Sequence, residues 1–186
     1  MRRWYLIVIV MAIAQNLVAQ TVMRPDPVLD ADRATLRDAL LQFRDSLGSV
    51  DAAASRLQRD YRQASPALLL SRARLMREAC ARSVRGVPAA RRAVLAAATT
   101  DERRRRRQGE MVGALDQLRK ALARCESDFA TMSQPGEGER VRGYGNNRAV
   151  RVQAALRQYE QVLGTFFSTM HIKVRPPGSQ PSPPAG

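Results

Sequence analysis

The sequence predicts an all-α protein, either an elongated four-helix up-down bundle or a stack of helical hairpins with coiled-coil-like heptad seams. Three observations lead to this fold class. Apolar residues recur at alternating steps of three and four in four long segments, which is the spacing of one helix face. Helix-start signals stand between these segments. No convincing strand pattern appears after the N-terminal segment.

The first two helices are expected over residues 27–64 and 66–98. Asp26 and Ser65 are suited to be N-caps, and each precedes a proline at the first helical position. The phase of the apolar stripe changes at Ser65, which indicates a turn and not one continuous rod. The two stripes consist of Leu36, Leu40, Phe43, Leu47, Val50, Ala54, Leu57 and Tyr61, and then of Leu69, Ala73, Met76, Cys80, Val87 and Val94.

A turn centred on residue 65 sets the register of the first hairpin. It would place Leu57 level with Ala73, and Val50 level with Cys80. Gly86 and Pro88 normally end a helix, yet the sevenfold spacing of the second stripe continues across them. We therefore expect a kink there, with the helix resuming beyond it.

The third and fourth helices are expected over residues 100–132 and 148–172. Thr99 and Glu102 fit a capping box, with Thr99 as the cap. Residues 133–147 contain glycine and charged residues and are predicted to form a loop. The two stripes consist of Met111, Leu115, Leu118, Leu122, Cys125, Phe129 and Met132, and then of Val152, Leu156, Tyr159, Leu163, Phe166 and Met170.

Both ends of the chain are expected to lie outside this helical domain, which covers residues 26–172. Residues 1–19 resemble a secretory signal, with a basic start, an apolar core and a small residue, Ala19, before the cleavage point. The alternative is a membrane anchor, but the apolar run of residues 4–14 is shorter than the roughly 20 residues that span a bilayer. Residues 20–25 would be a linker, and residues 173–186, rich in proline, a disordered tail.

Because the chain is expected to be exported, its two cysteines, Cys80 and Cys125, are candidates for a structural disulfide. Both fall on apolar stripes, and a turn midway between them would lie near residue 102, close to the Thr99 capping signal. In an oxidising compartment such a pair is expected to form a disulfide that ties the second helix to the third. The alternative is two buried free thiols that act as small apolar residues.

Arginine dominates the charge. The chain has 31 basic and 17 acidic side chains, a net charge of +14, and 29 of the basic residues are arginine. The arginine run is first interpreted as a solvated basic helix end, and a general coding bias toward arginine would also account for the excess. The alternative interpretation is contact with an anionic polymer, a membrane surface or an acidic protein, with lipopolysaccharide and nucleic acid as examples. The candidate residues are Arg103, Arg104, Arg105, Arg106 and Arg107, together with Arg72, Arg74, Arg77, Arg82 and Arg85.

Composition argues against catalytic and metal functions. His171 is the only histidine, and it is expected to cap or flank the end of the fourth helix. The two cysteines lack zinc-ligand spacing, and no phosphate-cradling or haem-attachment motif occurs, so no metal, cofactor or catalytic residue is predicted. We expect a periplasmic or secreted structural or adaptor protein. The alternatives are a polyanion-binding envelope protein and, more weakly, an enzyme. Self-association through the helix seams is a further expectation.

Overall fold

Four long helices make up most of the described chain. The computed structural model describes residues 27–97 and 99–173, and no strand occurs among them. This confirms the predicted all-α bundle. Contacts divide the chain between Ala31 and Asp32, and the described residues 32–173 pack within one compact unit. The elements are α1 (Pro27–Asp60), α2 (Pro66–Ala96), α3 (Glu102–Met132), α4 (Gly138–Arg140), a π-helical turn (Val141–Gly145) and α5 (Asn146–Thr169).

The long helices form a closed ring of antiparallel neighbours. Ser83 on α2 donates a hydrogen bond to the Ser46 carbonyl on α1 at 3.3 Å. A disulfide joins α2 to α3, and Arg148 on α5 pairs with Asp128 on α3 at 3.4 Å. The Phe43 and Tyr159 rings, 5.7 Å apart, bring α1 against α5. This last contact makes the fold a bundle and not an open stack of hairpins.

The register of the first hairpin agrees with the predicted turn. A β-carbon placed on Gly86 would lie 3.0 Å from the Phe43 ring, so residues 43 and 86 are level, as are Ser46 and Ser83. Both pairs centre the hairpin within one residue of position 65. The close approach also explains why glycine suits position 86, because any larger side chain would press on a buried ring.

The apolar stripes pack into a single core. Every predicted stripe residue on α2, α3 and α5 is buried, including Cys80 and Cys125. On α1 the same holds from Leu36 to Leu57, whereas Tyr61 lies half-buried in the turn after the helix. These seams pack inside one chain, and association between copies stays a prediction.

Helix starts follow the predicted signals in one case and depart from them in another. The Ser65 hydroxyl accepts the Leu68 N–H at 3.3 Å, which confirms that cap. The prediction of Thr99 as the third cap is wrong. The Asp101 carboxylate accepts the Arg104 N–H at 2.8 Å, while Thr99 only accepts the Asp101 N–H at 3.3 Å. A carboxylate suits this position better because it also faces the positive end of the helix dipole.

Helix α2 continues through Pro88, as predicted, and ends at Ala96. The kink expected at Gly86–Pro88 stays a prediction. Beyond the helix end, the Gln108 side-chain amide on α3 donates to the Val94 and Ala97 carbonyls. The Ala97 carbonyl thereby gains a donor from a neighbouring helix, and the Val94 carbonyl gains a second donor besides the Ala97 N–H.

The loop predicted over residues 133–147 is mostly helical. Only residues 133–137 connect α3 to α4, and α4, the π-helical turn and α5 run on without a break. Tertiary contact overrides the glycine content here. Gly138 is buried so close to the start of α2 that a β-carbon on it would lie 2.6 Å from Pro66 Cβ.

The end of α5 is closed by a Schellman motif. The His171 N–H donates to the Ser168 carbonyl at 3.2 Å, and the Ile172 N–H to the Phe167 carbonyl at 2.9 Å. His171 has a positive φ of 54°, the left-handed position where glycine is usual. The capping role expected for His171 therefore belongs to its backbone. The predicted signal, the linker, the Asp26 cap and the tail from residue 174 onward lie outside the described residues.

Candidate anion-binding surface

The disulfide fixes the register between α2 and α3. Cys80 and Cys125 are bonded, with 6.1 Å between their α-carbons. About three turns further along α2, Arg91 pairs with Asp116 at 3.4 Å. Because the helices are antiparallel, these contacts place residues 119–124 of α3 beside residues 81–86 of α2. The bridge predicted from the sequence thus also determines which charged side chains become neighbours.

Three of the seven α2 arginines have acidic partners. Arg72 is the best held, 2.7 Å from Asp60 on α1 and only 25% exposed, so it acts as a tie between helices. Arg91 pairs with Asp116, and Arg82 lies 3.9 Å from Glu78 in an exposed pair of little strength. Among the described residues, no acidic group lies within ion-pair distance of the other four α2 arginines, all of them exposed: Arg74, Arg77, Arg85 and Arg92.

The arginine run at the start of α3 does not form one surface. Arg106 and Arg107 both contact Glu110, and Asp101 caps the helix at the same point. Arg107 Nε is buried and has no hydrogen-bond acceptor among the described residues. Successive helical residues also point in different directions, about 100° apart. The most conspicuous motif of the sequence is therefore partly neutralised; binding of an anion by Arg103, Arg104 and Arg105 stays a prediction.

The candidate residues of α2 and of the α3 run lie toward opposite ends of the bundle. Arg72 and Arg74 are near the turn after α1, whereas Gln108, just after the run, contacts the last carbonyls of α2. At about 1.5 Å per residue, Arg74 and Ala97 are roughly 35 Å apart along α2. The positive charge thus follows a side of the molecule and is not gathered at one end.

Two basic residues of α3 outside the predicted set, Arg119 and Lys120, lie level with the middle of α2. Both are exposed, and no acidic partner for them occurs in the part of the chain that the structure describes. Arg119 is about one turn from Asp116, which contacts α2, whereas the exposed Arg124 is one turn from Asp128, which contacts α5. We call the exposed cations along α2 and this part of α3 the α2–α3 flank, and its members are Arg74, Arg77, Arg82, Arg85, Arg92, Arg119 and Lys120.

A groove of about 830 Å³ lies between α1 and α5, away from this flank. Leu41, Leu47 and Leu156 form its apolar part, and the Arg44–Glu160 pair, 3.1 Å long, crosses it. Its rim carries both signs of charge, so it does not favour an anion over a cation. Among residues 27–97 and 99–173, no three His, Cys, Asp or Glu side chains are placed to hold a metal ion.

Two further findings bear on function. No helix within the described ranges is long and apolar enough to span a membrane. Comparison of the chain with protein families, with characterised proteins and with solved structures gives no match.

Proposed function

We propose that this protein is an adaptor that binds an anionic partner electrostatically through the α2–α3 flank. The supporting observation is the uneven distribution of charge over the bundle. Helix α2 alone carries seven basic side chains and one acidic side chain, a net of +6. Helix α1 carries five basic and six acidic side chains. A one-sided field of this kind attracts anions to one side of the molecule.

The state of the flank arginines also supports binding. A guanidinium already paired with a carboxylate has less to gain from a phosphate or a sulfate than an unpaired one. Arg74, Arg85 and Arg92 are exposed and lack acidic partners among the described residues. Because the disulfide and the Arg91–Asp116 pair hold the two helices together, these groups are held on one fixed side and need little ordering when a partner arrives.

The proposed place of action is outside the cytoplasm, in the periplasm or secreted. A disulfide between buried cysteines persists in an oxidising compartment and is rare in the cytosol. Such a location favours envelope components and acidic proteins over intracellular nucleic acid as partners. Fractionation tests this part: the processed chain is expected outside the cytoplasm, and full-length protein with two free thiols in the cytoplasm would contradict it.

The binding proposal is tested with heparin as the polyanionic probe. The triple variant Arg74→Gln, Arg85→Gln, Arg92→Gln should bind heparin about tenfold more weakly at 0.1 M salt. The slope of log affinity against log salt should become shallower by about 2 to 3, because three cations no longer displace counterions. Titration calorimetry over a salt series gives both quantities.

A matched control removes the same charge elsewhere. Arg56, Arg59 and Arg157 are exposed arginines of α1 and α5, without acidic partners in the described part of the chain. Their triple glutamine variant should weaken heparin binding by less than threefold. Equal losses in the two variants would mean that only net charge matters, and the flank would no longer be the binding surface.

A further inference from the structure

The outward face of α2 has an unusual composition for a helix exposed to water. Residues spaced seven apart form three adjacent exposed rows along it. Only Glu78 is acidic, and only Ser71 is an uncharged polar residue. The rows are Leu68, Leu75, Arg82, Ala89 and Ala96; then Ser71, Glu78, Arg85 and Arg92; then Ala67, Arg74, Pro88 and Leu95, with the half-buried Ala81 between Arg74 and Pro88.

Exposed leucines accompany the arginines on this face. Leu68, Leu75 and Leu95 are 39%, 38% and 52% exposed. They account for three of the five large hydrophobic residues found exposed in the described ranges, although α2 is one of four long helices. A single exposed leucine is ordinary, but three on one helix face give that face an apolar component beside its arginines.

This combination discriminates among anionic partners. A hydrated polysaccharide or nucleic acid backbone offers negative charge to the arginines but no apolar environment to the leucines. The surface of an anionic bilayer offers negative charge and an apolar environment together, because phosphate groups lie just above the boundary of the acyl chains. Guanidinium groups bind phosphate through paired hydrogen bonds, and leucine side chains leave water by entering that boundary.

The face also has the length and the fixed orientation that such a contact needs. Leu68 and Leu95 are 27 residues apart, so the face extends about 40 Å along the helix axis. Cys80, on the opposite side of α2, is fully buried and bonded to α3. The bridge keeps α2 from rotating, and the same residues therefore always point outward.

We propose that this face of α2 lies flat on an anionic phospholipid bilayer. Arg74, Arg85 and Arg92 would contact lipid phosphates, and Leu68, Leu75 and Leu95 would enter the acyl boundary. The inference rests on the proposed function and extends it by naming the partner. The leucines, which heparin binding does not require, separate the two ideas experimentally.

The test uses flotation with vesicles of equal parts phosphatidylglycerol and phosphatidylcholine, and with vesicles of phosphatidylcholine alone. The wild-type protein should bind the anionic vesicles at least tenfold more tightly. The variant Leu68→Ser, Leu75→Ser, Leu95→Ser keeps every charge and should lose at least tenfold in affinity for anionic vesicles, with unchanged heparin affinity. Because all three side chains are exposed, the variant should fold, and its thermal midpoint checks this.

The control variant Tyr144→Ser, Val150→Ser removes two exposed hydrophobic residues of the π-helical turn and α5. It should bind vesicles within twofold of wild type. If the leucine variant binds anionic vesicles as well as wild type, or if wild type binds heparin but no vesicle, the bilayer inference is overturned while the proposed function stands. If wild type binds neither probe, both are overturned.

Discussion

Tyr159 places its hydroxyl group in the apolar core of the bundle, without a hydrogen-bond partner among the described residues. Its side chain is fully buried and contacts the Phe43 ring edge to face. Among the described residues, none lies within hydrogen-bonding distance of its oxygen. Burial therefore raises the pKa of Tyr159, because the ionised form would lose its hydration. A ring suits this position, but the oxygen on it is a cost to stability.

Tyr159→Phe should therefore stabilise the protein. Removing a buried hydroxyl without a partner should increase the free energy of unfolding by about 1 kcal/mol at pH 7. Urea unfolding followed by circular dichroism measures it. Tyr144→Phe is the control, because Tyr144 is 61% exposed and should change stability by less than about 0.5 kcal/mol.

The difference between Tyr159→Phe and wild type should also grow at alkaline pH. The pKa of Tyr159 is higher in the folded protein than its ordinary value of about 10, so the unfolded chain releases this proton first. Wild-type stability that depends on the neutral phenol is complete below about pH 10 and declines above it. A variant less stable than wild type would show instead that the hydroxyl has a partner, such as a buried water.

The helix ends depend on contacts that are distant in sequence. Arg142, in the π-helical turn, donates to the Arg62 carbonyl at 2.9 Å and to the Ala64 carbonyl at 2.8 Å. It also donates to the Tyr61 carbonyl at 3.2 Å. Its Nε lies 3.0 Å from Glu139, which orients the guanidinium. One side chain thereby satisfies the carbonyls of the turn that follows α1.

Arg142→Lys should destabilise the bundle by about 1 to 2 kcal/mol although it keeps the charge. A lysine ammonium cannot reproduce the planar set of donors that serves three carbonyls and a carboxylate at once. Arg148→Lys is the control, because Arg148 lies nearby with one partner, Asp128, at 3.4 Å, and it should cost less than about 0.5 kcal/mol. Urea midpoints compare them. Equal stability of Arg142→Lys and wild type would remove this capping role.

The sequence predicted the helices well and some of their ends poorly, and the reason is physical. A 3-4 stripe is local, so α1, α2 and α3 could be found from neighbouring residues alone. Gly138 packs against Pro66, and the Val94 and Ala97 carbonyls accept from Gln108; a local sequence pattern contains neither contact. The helical turns over residues 138–145 were missed because glycine lowers helix propensity, whereas packing decided the outcome.

The charged surface was only partly predictable at the scale of the whole molecule. The excess of arginine predicted an anionic partner from composition alone. The placement of that charge required the helix register, which brings Arg119 and Lys120 level with Arg85. Glu110 and Asp101 reduce the positive charge that the arginine run presents to a partner. Only the structure shows that Arg106 and Arg107 share Glu110.

The disulfide should contribute stability to the entire bundle as well as order to the flank. It closes a separation of 45 residues, which restricts the unfolded chain more than the folded one. The double variant Cys80→Ala, Cys125→Ala should therefore lose about 2 to 4 kcal/mol of unfolding free energy. Far-ultraviolet circular dichroism should remain helical, because the apolar seams are otherwise intact.

Reduction of the wild type separates the covalent link from packing. Reduced wild type keeps both sulfur atoms in the core, so it should lose nearly the same stability as the alanine variant, to within about 1 kcal/mol. A much larger loss in the alanine variant would show that the sulfurs act mainly by filling space. An alanine variant as stable as the oxidised wild type would contradict the role of the bridge, and the fixed orientation of α2 would then need another cause.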